Sequence, residues 1–292
     1  MLKCGGLQLE TDLHKLFMEI WEVEKIPDDW KRGCIVPIFK KKDPKDCANY
    51  RPINLLSIVG KLFCRILLER IRPYHEGNMR ENQAGFRRGR GCVDQIFTVR
   101  HLVEKHVDYG KEMVLVFVDF KAAFDSVHRQ SLWKLLISFG IPLKIVRLLK
   151  ELYSGGSIQV QVNGALSEEF TINTGVKQGC ILSPSLFNFV VDYVLKKSFG
   201  TLHYSDFTTG DVDFADDIAL TAKDACSAQL ILKTLSDVAK CFGLRVNASK
   251  TKAIFINCDK SRLLIDDKPL ENVKSFVYLG STISQKGSTA LV

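Results

Sequence analysis

No stretch of this 292-residue sequence is apolar for long enough to cross a membrane, and its first residues lack the order of a secretion signal. Both absences predict a soluble, intracellular chain. The nine cysteines, at positions 4, 34, 47, 64, 92, 180, 226, 241 and 258, form no Cys-x-x-Cys pair and no Cys/His ligand spacing. That argues against a zinc module and a disulfide scaffold, and for reduced, mostly buried thiols. There is no internal repeat and no low-complexity segment, which excludes a solenoid. What is present is 46% hydrophobic and 25% charged residues, enough to bury a large core in one divided domain or two. Forty-one basic residues against 33 acidic ones give a net charge of +8, which points to a polyanionic partner.

The most informative stretch is Asp213-Phe214-Ala215-Asp216-Asp217-Ile218-Ala219-Leu220. Apolar residues alternate into Phe214, two carboxylates interrupt them, and Ile218 to Leu220 resume the pattern, so the stretch predicts a strand, a tight turn and a strand. Adjacent acids also occur at Asp28-Asp29 and Asp266-Asp267, but without flanking strands. Two carboxylates held between buried strands are costly unless a cation neutralises them, and magnesium is the expected ion. Such a site needs a third carboxylate. Met113 to Val118 is an unbroken apolar run of strand length, which implies burial on both faces, and Asp119 stands at its exit. Phe124, five residues on, is expected to reach back toward the same pocket, while Asp125 reads as a helix-initiating or structural residue.

The rest of the chain supplies a frame. Helical spacing covers residues 9 to 25 and a short strand follows to Phe39, leading into the basic run Lys40 to Lys45. Pro52 forces an extended segment around Asn49 to Leu56. A helix is expected from Ser57 to Arg70, and another from Asp94 to Val107. Between them, Gln83 to Gly91 mixes three arginines with three glycines, a combination suited to a triphosphate. Leu132 to Phe139 and Pro142 to Tyr153 read as two helices, and 158 to 172 as a hairpin turned at Asn163-Gly164. Gln178 and Gly179 precede Ser183-Pro184, expected as N-cap and first residue of a helix whose amino end could seat a base or phosphate. Residues 225 to 242 predict a strong helix capped by Gly243, and Phe276 to Ile283 a hairpin strand and turn.

Taken in order, these motifs resemble the reverse transcriptase of non-LTR (LINE-type) retrotransposons, from about Trp30 to Gly287. They are Asn49-Tyr50-Arg51-Pro52-Ile53 with Lys61 beyond, the loop Gln83 to Gly91, Phe117 to Asp125, Lys177 to Pro184, Phe214-Ala215-Asp216-Asp217, Gly243 to Lys250, and Tyr278-Leu279-Gly280. The resemblance implies an α+β right-hand polymerase of fingers and palm, the palm an antiparallel sheet with helices on one face, and the thumb largely missing. It implies fingers over residues 1–110, a first part of the palm over 111–130, and an insertion with helices and hairpin over 131–173. The second part of the palm then covers 174–262, and the primer-grip hairpin with the start of a thumb covers 263–292. Asp119, Asp216 and Asp217, with the Phe120 backbone, would hold two magnesium ions, for which manganese could substitute. Phe124 would be a steric gate against the ribose 2′-hydroxyl. Arg51, Lys61, Arg87 and Arg90 are candidates for triphosphate contact, Gln178 and Gly179 would shape the nucleotide pocket, and Tyr278, Leu279 and Gly280 would grip the primer. Lys250 could protonate the departing pyrophosphate. The implied partners are RNA template, DNA primer and deoxynucleoside triphosphates, with no membrane, in a nuclear or cytoplasmic ribonucleoprotein setting. The absence of an endonuclease and of a thumb reads as a piece truncated at both ends, and residues around Gly200 to Asp211 read as short and polar for the family. The alternative function is a catalytically inactive remnant that only binds RNA or primer–template; an RNA-templated RNA polymerase conflicts with the size of Phe124.

Overall fold

The computed structural model describes residues 5–40, 43–200, 210–259 and 261–287. In chain order the elements are α1 (Gly6–Val23), α2 (Asp28–Lys31), β1 (Gly33–Phe39), β2 (Tyr50–Leu55), α3 (Ile58–Asn78), α4 (Cys92–Asp108) and β3 (Met113–Val118). There follow α5 (Ala123–Ser126), α6 (Arg129–Ser138), α7 (Leu143–Tyr153), β4 (Ser157–Val162), β5 (Ala165–Leu166), β6 (Phe170–Thr171), α8 (Ser183–Phe199), β7 (Gly210–Phe214) and β8 (Asp217–Ala222). The last elements are α9 (Ala225–Cys241), β9 (Lys252–Ile256), β10 (Leu264–Ile265), β11 (Lys268–Pro269), β12 (Glu271–Asn272), β13 (Ser275–Tyr278) and β14 (Ser281–Ser284). They fall into two compact units, each built from two separated stretches: Met1–Gly77 with Leu132–Ser183, and Asn78–Ser131 with Pro184–Val292. Helix α4, read from the sequence within residues 1–110, clusters with the second unit.

In the first unit β1 is central. It pairs antiparallel with β2 and parallel with β4, and β5 and β6 both lean on β4. The rings of Phe17, Trp30 and Phe63 meet at centroid separations of 5.5 to 6.2 Å, which joins α1, α2 and α3 in one aromatic core. Helix α3 runs on past the expected end at Arg70, through Pro73, to Asn78. Pro73 removes one backbone bond, but Ile71 and His75 on either side of it are buried, and this burial carries the helix through. The Ser183 hydroxyl does not cap its helix; it donates to the Lys177 carbonyl at 2.7 Å.

The second unit is a five-stranded sheet in the order β12-β9-β3-β8-β7. All six residues of β3 are buried, as an apolar run without alternation requires. Met113, Leu115 and Phe117 face a core made with Val99 and Val103 of α4 and with Tyr278 and Ile283 of the β13–β14 hairpin. Helix α9 packs on β3 and β8. The stretch expected around Gly200 to Asp211 lies mainly at 201–209, outside the described residues.

Candidate active site

The antiparallel register of β3 on β8 sets Val118 opposite Ile218, so the next pair outward is Asp119 and Asp217. Phe214 pairs with Asp217 to close the β7–β8 hairpin, leaving Ala215 and Asp216 as its two turn residues. Ala215 has φ of 60°, the conformation that glycine usually supplies at the first central position of such a turn. Asp216 is exposed at the tip. The end of β3 is tied to the loop before β9: the Asp119 N–H donates to the buried Thr251 Oγ1 (3.2 Å), and the Asp119 carbonyl accepts from the Asn247 N–H (2.7 Å). The bridge of Phe120 with Val246 is bonded through Asp119 and Lys121, so the Phe120 carbonyl points to the opposite side.

A cavity of about 320 Å³ opens between these elements, lined by Asp119, Asp217, Ser249, Lys250, Phe276 and Tyr278 among others. Asp119 Oδ2 is buried there without a hydrogen-bond partner, and the Lys250 ammonium stands 3.7 Å from it. Burial, followed by the charges of Asp216 and Asp119, pushes Asp217 up to about 6. A buried carboxylate oxygen without a donor, facing a second carboxylate across a strand pair, is the donor chemistry of a hard cation. Among the described residues, no group of three or more His, Cys, Asp or Glu side chains stands at metal-holding spacing.

The second unit also holds Phe124, whose ring stacks on Phe187 at 4.6 Å and 19°. Leu279 and Gly280, with φ of 49° and 81°, make the turn of the β13–β14 hairpin, and Tyr278 before them lines the cavity and donates from its hydroxyl to the Val212 carbonyl at 2.8 Å. Arg87 is engaged with backbone: one nitrogen donates to the carbonyls of Arg80 (2.9 Å) and Gln83 (3.1 Å). Arg90 pairs with Glu81. Arg51, Lys61, Gln178 and Gly179 belong to the first unit. There the Gln178 carbonyl accepts from the Asn54 N–H at 2.8 Å, and a Cβ at Gly179, whose φ is 105°, would lie 2.5 Å from the Asn54 carbonyl oxygen.

Sequence reasoning missed what stands behind the hairpin. The Arg80 guanidinium meets Asp192 Oδ1 (2.9 Å), Asp213 Oδ2 (3.0 Å) and Asp211, all with nearly inaccessible side chains. Burial alone would lower the Arg80 pKa, but the three carboxylates outweigh it and raise it. Burial, then Asp211, hold Asp213 well above the usual carboxylate range despite Arg80, because one cation cannot balance three anions. Gln95 donates to the carbonyls of Asn82 (2.7 Å) and Asp213 (2.8 Å). One signal was readable: Asp211 and Asp213 share a face of one strand, and two carboxylates on a buried face demand a cation.

Residues 39–283 match the family model of the reverse transcriptase (RNA-dependent DNA polymerase). The chain belongs to this family. Among its relatives, the probable RNA-directed DNA polymerase from transposon X-element of Drosophila melanogaster is 28% identical, over 93% of this chain and 31% of that protein. The Pol polyprotein from the type-2 retrotransposable element R2DM of the same species is 32% identical, over 77% of this chain and 21% of that protein. The RNA-directed DNA polymerase from mobile element jockey, also from that fly, is 27% identical over 93% of this chain and 31% of its own length. These are polymerases of non-LTR retrotransposons, as the motifs implied, and the chain spans about a third of their length or less. In fold, this chain resembles apo telomerase from Candida tropicalis, with a TM-score of 0.65 at 14% identity over 96% of this chain and 59% of that one. The mixed helices and antiparallel-rich sheets described above are therefore those of a polymerase fold. No described helix is long and apolar enough to cross a membrane.

Proposed function

We propose that this chain is the polymerase part of a retrotransposon protein and extends a primer 3′-hydroxyl with deoxynucleotides against an RNA template. The observation that carries the reading is the buried Asp119 Oδ2, without a hydrogen-bond partner and ion-paired only loosely with Lys250, placed across β3 and β8 from Asp217 with Asp216 beside it on the turn. Asp119, Asp216 and Asp217, with the outward-facing Phe120 carbonyl, would hold two magnesium ions, which supply activation of the attacking hydroxyl and neutralisation of triphosphate charge. Asp217, raised to about 6, gives up its proton at neutral pH and adds to the negative charge that recruits those ions. Thr251 and Asn247 fix the backbone on which the Asp119 carboxylate sits. Lys250, exposed beside Asp119, donates a proton to the leaving pyrophosphate. The Phe124 ring, stacked on Phe187, excludes a ribose 2′-hydroxyl by bulk. Tyr278 to Gly280 contact the primer, and Gln178, Gly179, Arg51, Lys61, Arg87 and Arg90 serve the incoming nucleotide.

The test is primer extension on an RNA template with purified chain, magnesium and deoxynucleotides, beside Asp216→Asn. Extension that disappears in the variant supports the polymerase. A wild-type chain that binds primer–template without extending it overturns the activity and favours a binding remnant.

A further inference from the structure

The catalytic turn carries a local conflict. Ala215 occupies a left-handed conformation that an L side chain rarely adopts, and it does so between the two strands whose geometry fixes Asp216 and Asp217. A non-glycine residue remains in that state only where its surroundings hold it there.

The holding contact is Gln83, which is fully buried. Its Oε1 accepts from the Ala215 N–H and from the Gly85 N–H, both at 2.8 Å, and its Nε2 donates to the Ala215 carbonyl at 3.3 Å. Both backbone polar groups of the strained residue are thus bonded to one side chain. The backbone around Gln83 is itself fixed to β7: Ala84 donates to the Asp213 carbonyl (2.9 Å) and Asp213 donates to the Asn82 carbonyl (3.2 Å). Gly85 packs so closely that a Cβ there would stand 2.2 Å from the Ala215 nitrogen.

We infer that Gln83 is a positioning residue of the polymerase: its amide holds Ala215 left-handed and thereby aims the Asp216-Asp217 carboxylates. Its effect passes through the backbone of the turn, since its bonds are to Ala215 and Gly85. This rests on the proposed polymerase reading for its catalytic consequence, but the clamp itself is a property of the folded chain and is testable without turnover.

The experiment is a double-substitution cycle of Gln83→Ala and Ala215→Gly, measured as Tm without metal and as kcat and KM in primer extension. Glycine takes the left-handed conformation at little steric cost, so it removes the need for the clamp. Gln83→Ala is expected to lower Tm and to cut kcat at least about tenfold, the equivalent of one buried hydrogen bond, with the KM for primer–template unchanged. Adding Ala215→Gly is expected to return at least half of both losses. Additive effects of the two substitutions overturn the inference, as does a Gln83→Ala loss that falls on KM. If Gln83→Ala does not fold, amide exchange of the wild-type chain decides. An Ala215 amide protected as strongly as the β8 amides supports the clamp, and one that exchanges at the rate of an open turn refutes it. A wild-type chain with no extension at all, but with Tm rescue and a protected Ala215 amide, separates failure of the polymerase reading from failure of the clamp.

Discussion

Replacing Arg80 with methionine keeps most of the side-chain volume and deletes one charge from the middle of three. The carboxylates left behind, Asp192, Asp211 and Asp213, have side-chain exposures of 0%, 3% and 0%, so water cannot take over from the guanidinium. Removing one partner of a buried ion pair costs about 3–5 kcal/mol, and the same range is expected here at pH 7. Against a total of roughly 5–15 kcal/mol for a domain, that is a large fraction. The pH dependence has a definite sign. Asp192 and Asp213 are already raised by burial, and Arg80 is what pulls them down, so without it they rise further. Between the unfolded carboxylate value near about 3.9 and the raised folded values, the folded state holds more protons, and stability increases as pH falls. The Arg80→Met chain should therefore regain part of its loss between pH 7 and pH 5. Trp21, Trp30 and Trp133 all stand in the first unit, so tryptophan fluorescence is a poor probe of this change. Urea unfolding followed by amide exchange in β3 and β7 reads the second unit directly. A loss below about 1 kcal/mol at pH 7, or a loss that grows on acidification, would refute the reasoning.

Two further outcomes follow from the same geometry. Phe124→Ala removes the ring stacked on Phe187 and should raise ribonucleotide incorporation while deoxynucleotide incorporation persists; unchanged sugar discrimination in competition assays counts against the gate. Gly179→Ala forces a Cβ to within 2.5 Å of the Asn54 carbonyl oxygen in a left-handed residue, so it should destabilise the first unit by about 1–3 kcal/mol. Tryptophan fluorescence suits this variant, and an unchanged melting temperature would show that the β2 contact yields freely.

The parts legible in the sequence were those with a local signature. Six apolar residues ending in Asp119 specify a buried strand with an acid at its exit, and Phe214-Ala215-Asp216-Asp217 specifies a turn between strands. The hairpin over Ser275 to Ser284 was likewise readable from its Leu279-Gly280 turn. Arg80 and Gln83 were not readable as partners of the hairpin, because their bonds to Asp213 and Ala215 span more than 130 positions and no periodicity marks them. Arg87 shows what composition leaves out: among glycines it reads as a phosphate ligand, and the fold adds that one of its nitrogens donates to two carbonyls of its own loop. The extension of α3 through Pro73 was hidden for a related reason, since burial on both sides of the proline outweighs a local rule.

The interleaving of the two units has a consequence at the ribosome. Strand β3, with its six apolar residues, emerges roughly a hundred residues ahead of β8 and further still ahead of β9, the two strands that flank it. At about 5–20 residues per second, that is an interval of roughly 5–20 s in which the most hydrophobic strand of the chain has no neighbour. Throughout it, Asp119 has been made and its counterparts on the Asp-Asp turn have not. A nascent chain thus carries an unpaired apolar strand through that interval, and the candidate site cannot assemble before the interval ends.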